Sequence, residues 1–156
     1  MFRVNNFTNN DDIRILDSMG AFTVVEYLRD LSVVPATAQT AYYCNAMNVR
    51  KRQLICDVSK SPITLQGGAM QWTVGNVNAT TGVKGVGDLF NKAIRGSVTG
   101  ESAIKPEYTG EGILVTEPTF RHILLLNLDD WSGSVVLDDG LFLACEATLQ
   151  HKAVMR

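Results

Sequence analysis

Apolar and polar positions along this chain alternate in short runs separated by glycine and turn residues, the pattern of strands rather than helices. After a polar lead-in at Asn9-Asn10-Asp11-Asp12, the run Ala21 to Leu28 is β-rich, with Phe22, Val24 and Glu26 on one side and Val25 and Tyr27 on the other. Leu54 to Val58 and Ile63 to Leu65 are short apolar runs split by Ser59-Lys60-Ser61-Pro62. In Met70 to Val74 the apolar Met70, Trp72 and Val74 alternate with Gln71 and Thr73, which predicts a strand with those three on one face. Ile113 to Thr116, Phe120 to Leu128 and Ser134 to Leu137 read as further strands, divided by Pro118, Asp129-Asp130-Trp131-Ser132-Gly133 and Asp138-Asp139-Gly140. The most regular run is Leu141 to Leu149, where Leu141, Leu143, Cys145, Ala147 and Leu149 share a face.

Two segments break this rhythm. Pro35 to Asn48 is alanine-rich and free of glycine, with a proline suited to a first helical turn, and predicts a helix. Val86 to Arg95 sets Val86, Leu89, Phe90, Ala93 and Ile94 on one face, with Asp88 early, Lys92 and Arg95 late and Gly96 to close it. Strands at intervals of about ten residues point to a sandwich, barrel or jelly roll. The expected core is Met70, Trp72, Val74, Leu114, Ile123, Leu125, Leu141, Leu143 and Cys145.

A chain of 156 residues fits one domain, and 46% hydrophobic with 19% charged residues is a globular composition. The net charge of −2 gives no overall pull toward nucleic acid or an anionic membrane. Met1 to Phe7 is polar and lacks the apolar core of a secretion signal, and no aliphatic run approaches the length of a bilayer span. Cys44, Cys56 and Cys145 are an odd number in separate contexts, which suits free thiols in a reducing, cytoplasmic setting.

Candidate chemistry is thin. His122 and His151 stand alone on separate predicted strands, whereas a metal needs three or four convergent ligands. Cys56 and Cys145 read as core thiols, and Cys44 is the least constrained. Gly82-x-x-Gly85-x-Gly87 has the wrong order for a dinucleotide fingerprint, and Gly96-Ser97-Val98-Thr99-Gly100-Glu101-Ser102 lacks a phosphate-binding lysine. Asp129-Asp130 and Asp138-Asp139 are turn carboxylates that point apart. No catalytic residue, metal ligand or cofactor is assigned. Arg50, Lys51 and Arg52 with Lys84, Lys92 and Arg95 form a candidate basic patch, weighed against a solvated face. The Val86–Ile94 face is a candidate contact for a membrane or protein, weighed against covering its own sheet.

With these residues laid out, the chain resembles the family of altered inheritance of mitochondria protein twenty-four, a domain of unknown function. The resemblance is carried, in order, by Gln66-Gly67-Gly68-Ala69-Met70, Lys84-Gly85-Val86-Gly87, Gly96 to Ser102, Gly110-Glu111-Gly112-Ile113-Leu114-Val115-Thr116-Glu117-Pro118 and Asp139-Gly140-Leu141-Phe142-Leu143-Ala144-Cys145. It covers Leu54 to the end and leaves residues 1–53 as a variable N-terminal region. It implies a fold similar to the trp RNA-binding attenuation protein, hence an all-β, double-stranded β-helix or jelly-roll-like sandwich with one or two short helices. It implies no enzyme activity and no catalytic residues. A mitochondrial member is tied to inner-membrane organisation. The absence of an Arg- and Ser-rich transit segment favours a bacterial cytoplasmic member here. Family members usually continue past the position of Arg156, so a natural short form or a fragment is expected. A strand Leu141–Leu149 left uncovered would then build a homo-oligomer, a dimer or trimer. The leading functional expectation is a non-enzymatic interaction or scaffold protein. Behind it stand a nucleic-acid-binding module and a cupin-like small-molecule or metal-dependent enzyme.

Overall fold

The computed structural model describes residues 4–80, 105–138 and 140–152. The expected helix over 86–95, the glycine runs at 82–87 and 96–102, and Lys84, Lys92, Arg95 and Asp139 lie outside the described residues.

One antiparallel sheet is built from β1 (Ile13–Met19), β2 (Phe22–Tyr27), β3 (Arg52–Asp57), β4 (Ile63–Leu65), β5 (Met70–Thr80), β6 (Glu107–Thr116) and β7 (Ala144–Glu146). Its order is β1-β2-β3-β6-β4-β7, with β5 also paired to β6. A helix, α1 (Ala38–Ala46), follows a 3-10 turn at Pro35–Thr37 between β2 and β3. The all-β expectation holds. No described helix is long and apolar enough to cross a membrane.

Strand β6 organises the sheet. Along its whole length it pairs with β5, from Met70↔Thr116 to Thr80↔Glu107. Its other edge is shared: Ile113 to Val115 pair with β3, and Glu107 and Tyr108 pair with β4. The break between β3 and β4 is filled by hydrogen bonds, the Gly112 N–H donating to Ser59 Oγ at 2.9 Å and the Val58 N–H to the Gly112 carbonyl at 2.9 Å. Glycine is required within this strand. A Cβ on Gly110, whose φ is 116°, would collide with the backbone oxygen of Asn76 on β5, and one on Gly112 would lie 2.6 Å from Val77 Cγ2. Gly110-Glu111-Gly112 therefore does not bound a strand starting at Ile113; the strand runs through it.

Both faces of the central strands are buried. Val24, Leu54, Cys56, Ile63, Leu65 and Leu114 form one cluster, and Ile13, Val25, Ile55 and Val115 form the other. Each fully buried aliphatic side chain contributes roughly 1.5–3 kcal/mol, so β2, β3 and β6 carry most of the fold's hydrophobic stabilisation.

Several expected elements are corrected, each for a local reason. β1 arises where the sequence suggested no element: two residues of β1 face one between Ile15↔Val25 and Asp17↔Val24, so Leu16 breaks the alternation. A second irregularity between Met70↔Thr116 and Trp72↔Val115 puts Met70 on the opposite face from Trp72 and Val74. Met70 is accordingly exposed, while Trp72 and Val74 are half-buried. Phe120–Leu128 and Ser134–Leu137 are not strands. Ile123 and Leu125 turn to the core as alternation demands, but after the isolated bridge Arg52↔Thr119 the segment joins no ladder among the described residues. The run Leu141–Leu149 contributes only β7, paired to β4; Leu141 is exposed, and Leu143 and Cys145 are half-buried. Of the expected core, Leu114 alone is fully buried.

Candidate functional site

β2 and β3 are hydrogen-bonded neighbours, joined at their ends by the Tyr27 N–H donating to the Lys51 carbonyl at 2.9 Å. A short turn would suffice to connect them. Residues 28–51 instead leave the sheet as an arm, and its composition sets it apart. From Leu31 to Val49 there is no Asp, Glu, Lys, Arg or His. Pro35 starts the helical part, and the Val34 N–H donates to Thr37 Oγ1 at 3.2 Å. Asn48, with φ 59°, takes the left-handed position that ends α1.

No residue of α1 is buried. Leu31, Tyr42 and Met47 are 78%, 70% and 75% exposed, and Tyr43 and Val34 are more than half exposed. The two tyrosine rings meet edge-on at 5.5 Å. A nine-residue helix without a packed face is marginal in water, since helical stability in proteins comes mostly from tertiary contacts. The arm is thus a preformed apolar surface with nothing on it among the described residues.

Its root, in contrast, is clamped by charge. Lys51 Nζ pairs with Asp30 Oδ2 at 2.7 Å, Arg29 pairs with Asp12, and Arg50 donates to the Leu28 carbonyl at 2.7 Å and to Asn48 Oδ1 at 2.9 Å. The hydrogen bond from Lys51, then that from Ser32, lowers the Asp30 carboxyl to a pKa of about 2. The Lys51–Asp30 and Arg29–Asp12 pairs wall an open cleft of about 440 Å³. On its floor the Tyr27 hydroxyl donates to Gln53 Oε1, and Gln53 Nε2 donates to Gln71 Oε1 and to the Thr116 carbonyl, both at 2.8 Å. Gln53 is buried with its amide fully used, so the floor is a fixed polar network. Burial, then the Asp30 charge, pushes the Tyr27 phenol up, keeping it a hydrogen-bond donor rather than a base.

On the opposite face of β2, Glu26 is almost fully buried between two arginines. Its Oε1 accepts from Arg14 Nη2 at 2.7 Å and Nε at 3.1 Å, and its Oε2 lies 2.7 Å from Arg52 Nη2. Arg14 is half-exposed, but the Arg52 side chain is only 8% exposed.

Arg50, Lys51 and Arg52 are thereby placed apart. Arg50 braces the arm, Lys51 belongs to the cleft with its Nζ 6.0 Å from the Phe120 ring centroid, and Arg52 is inside the fold on Glu26. The histidines sit on no strand: His122 is exposed in the segment after Thr119, and His151 lies 6.1 Å from the Phe142 ring. Asp129 and Asp130 occupy an exposed 3-10 turn capped by Asn127. Among the described residues no group of three or more His, Cys, Asp or Glu is placed to hold a metal. Burial pushes the Cys56 thiol up to about 12 and raises Cys145 as well. The arm itself was missed as a site; its sequence signal is the charge-free stretch, hidden by reading Pro35–Asn48 only as a helix.

A family model described as mitochondrial biogenesis AIM24 matches residues 47–156, beginning within the arm and covering β3 to β7. No curated protein and no solved structure matches the chain.

Proposed function

The chain belongs to the mitochondrial biogenesis AIM24 family, and we propose that it is a non-enzymatic interaction or scaffold protein whose arm, residues 31–49, is the contact surface for a protein. One observation carries this reading: an uncharged segment with Leu31, Val34, Tyr42, Tyr43 and Met47 exposed stands on a charge-clamped root. Exposed apolar patches on a folded domain mark interaction sites, and Tyr is enriched at such interfaces. The rigid sheet supplies the scaffold, and the root pairs fix the arm's exit.

The test replaces residues 31–49 by a short glycine–serine turn between the paired β2 and β3. The expected result is an unchanged β-type circular dichroism spectrum and loss of partner capture from a cell extract. An arm-deleted protein that captures the same set as the intact chain would overturn the reading. A nucleic-acid role draws no support from Arg50, Lys51 or Arg52, each of which holds an internal partner. Titration of RNA at two salt concentrations tests it, since phosphate binding would weaken steeply with salt. For the whole chain we propose the double-stranded β-helix arrangement, supported by β6 pairing on both edges and by the two buried faces of β2 and β3, in a cytoplasmic protein.

A further inference from the structure

We infer that the cleft at the root of the arm is a binding site for a small uncharged polyol, a mono- or disaccharide held through two neighbouring hydroxyl groups. This site is separate from the arm's proposed role as a protein contact and does not depend on it. The cleft's volume of about 440 Å³ falls within the roughly 300–1,000 Å³ of small-molecule sites.

Charge narrows the kind of ligand first. Asp12, Arg29, Asp30 and Lys51 line the cleft, two acids and two bases, and they are paired with one another as Arg29–Asp12 and Lys51–Asp30. An anion reaching Arg29 or Lys51 meets the carboxylate already there. A cation reaching Asp12 or Asp30 meets the base already there, so either is opposed by a like charge. A neutral ligand meets no such opposition.

The floor then selects hydroxyl groups. Tyr27 gives its proton to Gln53 Oε1, so toward the cleft its oxygen acts as an acceptor. Gln53 Nε2 donates to Gln71 Oε1, which sets the Gln71 amide one way round and leaves its NH2 group a donor without a partner among the described residues. Gln53 is itself buried, and its Nε2 also donates to the Thr116 carbonyl, so the relay cannot reverse without breaking that bond. An acceptor, Tyr27 Oη, and a donor, Gln71 Nε2, are thus linked through one buried amide on two residues that line the cleft. Sugar hydroxyls both donate and accept, and on adjacent ring carbons they come in pairs. One donates to Tyr27 while the next accepts from Gln71. An ammonium group has use only for the first contact, and a carboxylate only for the second. Ile13, Leu31 and Pro118 add apolar surface for the ring's C–H groups. Because the fold already holds the relay in place, little ordering opposes binding.

The experiment follows the side-chain amide signals of Gln53 and Gln71 by NMR in the isotope-labelled whole chain. Glucose, galactose, mannose, maltose and trehalose are added in turn, each to tens of millimolar. The expected result is a saturable shift of both amide signals with at least one sugar, at an affinity that salt leaves unchanged because a neutral ligand is not screened. Gln71→Ala and Tyr27→Phe should each weaken that affinity about 5-fold or more, the size of one hydrogen bond. Gln71 is exposed, so the circular dichroism of its variant should match the parent's; the salt series needs no variant. If none of these sugars shifts the two signals, the inference is overturned, and so it is if a sugar binds and neither variant weakens it. Shifts produced by glycine or inorganic phosphate in place of the sugars, and fading with salt, would overturn it in favour of a charged ligand.

Discussion

Replacing Glu26 by Gln removes the carboxylate that pairs with Arg52 while keeping the shape of the side chain. Arg52 cannot escape to water, since its side chain is 8% exposed. Its remaining contacts are weak, with Nη1 at 3.4 and 3.5 Å from the carbonyls of Arg50 and Phe120 and Nε without a hydrogen-bond partner. Breaking a buried pair from one side typically costs 3–5 kcal/mol, and the lower end, about 3 kcal/mol, applies because the amide oxygen still accepts. With a urea slope of about 2 kcal/mol per molar, the unfolding midpoint should fall by about 1.5 M at unchanged slope. Removing both charges in Glu26→Leu/Arg52→Met should return to within about 1 kcal/mol of the parent, because the desolvation cost disappears with the attraction. Arg14→Ala should cost less than about 1 kcal/mol, since Arg14 is half in solvent, where ion pairs are worth little. A loss below about 1 kcal/mol for Glu26→Gln, or equal losses for Arg14→Ala and Glu26→Gln, would refute the claim that burial of Arg52 sets the magnitude.

Gly110→Ala should destabilise by more than about 2 kcal/mol, because the added carbon meets the Asn76 backbone and φ 116° is a left-handed value alanine avoids; a thermal midpoint within a degree of the parent's would contradict this. At pH 8 iodoacetamide should modify Cys44 first and leave Cys56 untouched until urea unfolds the chain, since a thiol pushed up to about 12 by burial has almost no thiolate; mass spectrometry of the labelled peptides decides it. The Asp30–Lys51 clamp should weaken in acid. The folded carboxyl titrates at about 2 against an ordinary 3.8, so its contribution is complete above 3.8 and is lost as pH falls from 3.8 toward 2. Amide exchange at Leu31 and Ser32 should therefore quicken over that window relative to an Asp30→Asn protein, and identical pH profiles would count against the clamp.

The sequence was informative where periodicity and register agree. Ala21–Leu28, Leu54–Val58 and Ile63–Leu65 lie close to β2, β3 and β4, and Pro35–Asn48 contains α1, because their patterns are unbroken and their ends carry proline or polar turns. It failed where one residue was out of step. Extra residues in β1 and β5 reverse the facing of what precedes them, and no count of apolar positions shows that a strand carries a bulge. Phe120–Leu128 shows the complementary failure: alternation places Ile123 and Leu125 inward, but strand status depends on a neighbour that only the tertiary fold supplies. At the candidate site, Arg50, Lys51 and Arg52 looked like one patch because adjacency in sequence was taken for adjacency in space. On an extended chain successive side chains point to opposite faces, which sends Lys51 to the cleft and Arg52 to Glu26.

The arm leaves and re-enters the sheet between two strands that are already bonded to each other. Its length is therefore nearly free in the folding balance: each doubling of a closed loop adds only about 0.6 kcal/mol of closure entropy. A segment in that position can be lengthened, shortened or exchanged for another while β2 and β3 keep their register and the two buried faces stay intact. The matched family region starts at residue 47, just before the arm returns to the sheet. The arm and the framework can thus diversify independently, since a change in the arm's length or chemistry leaves the sheet's pairing untouched.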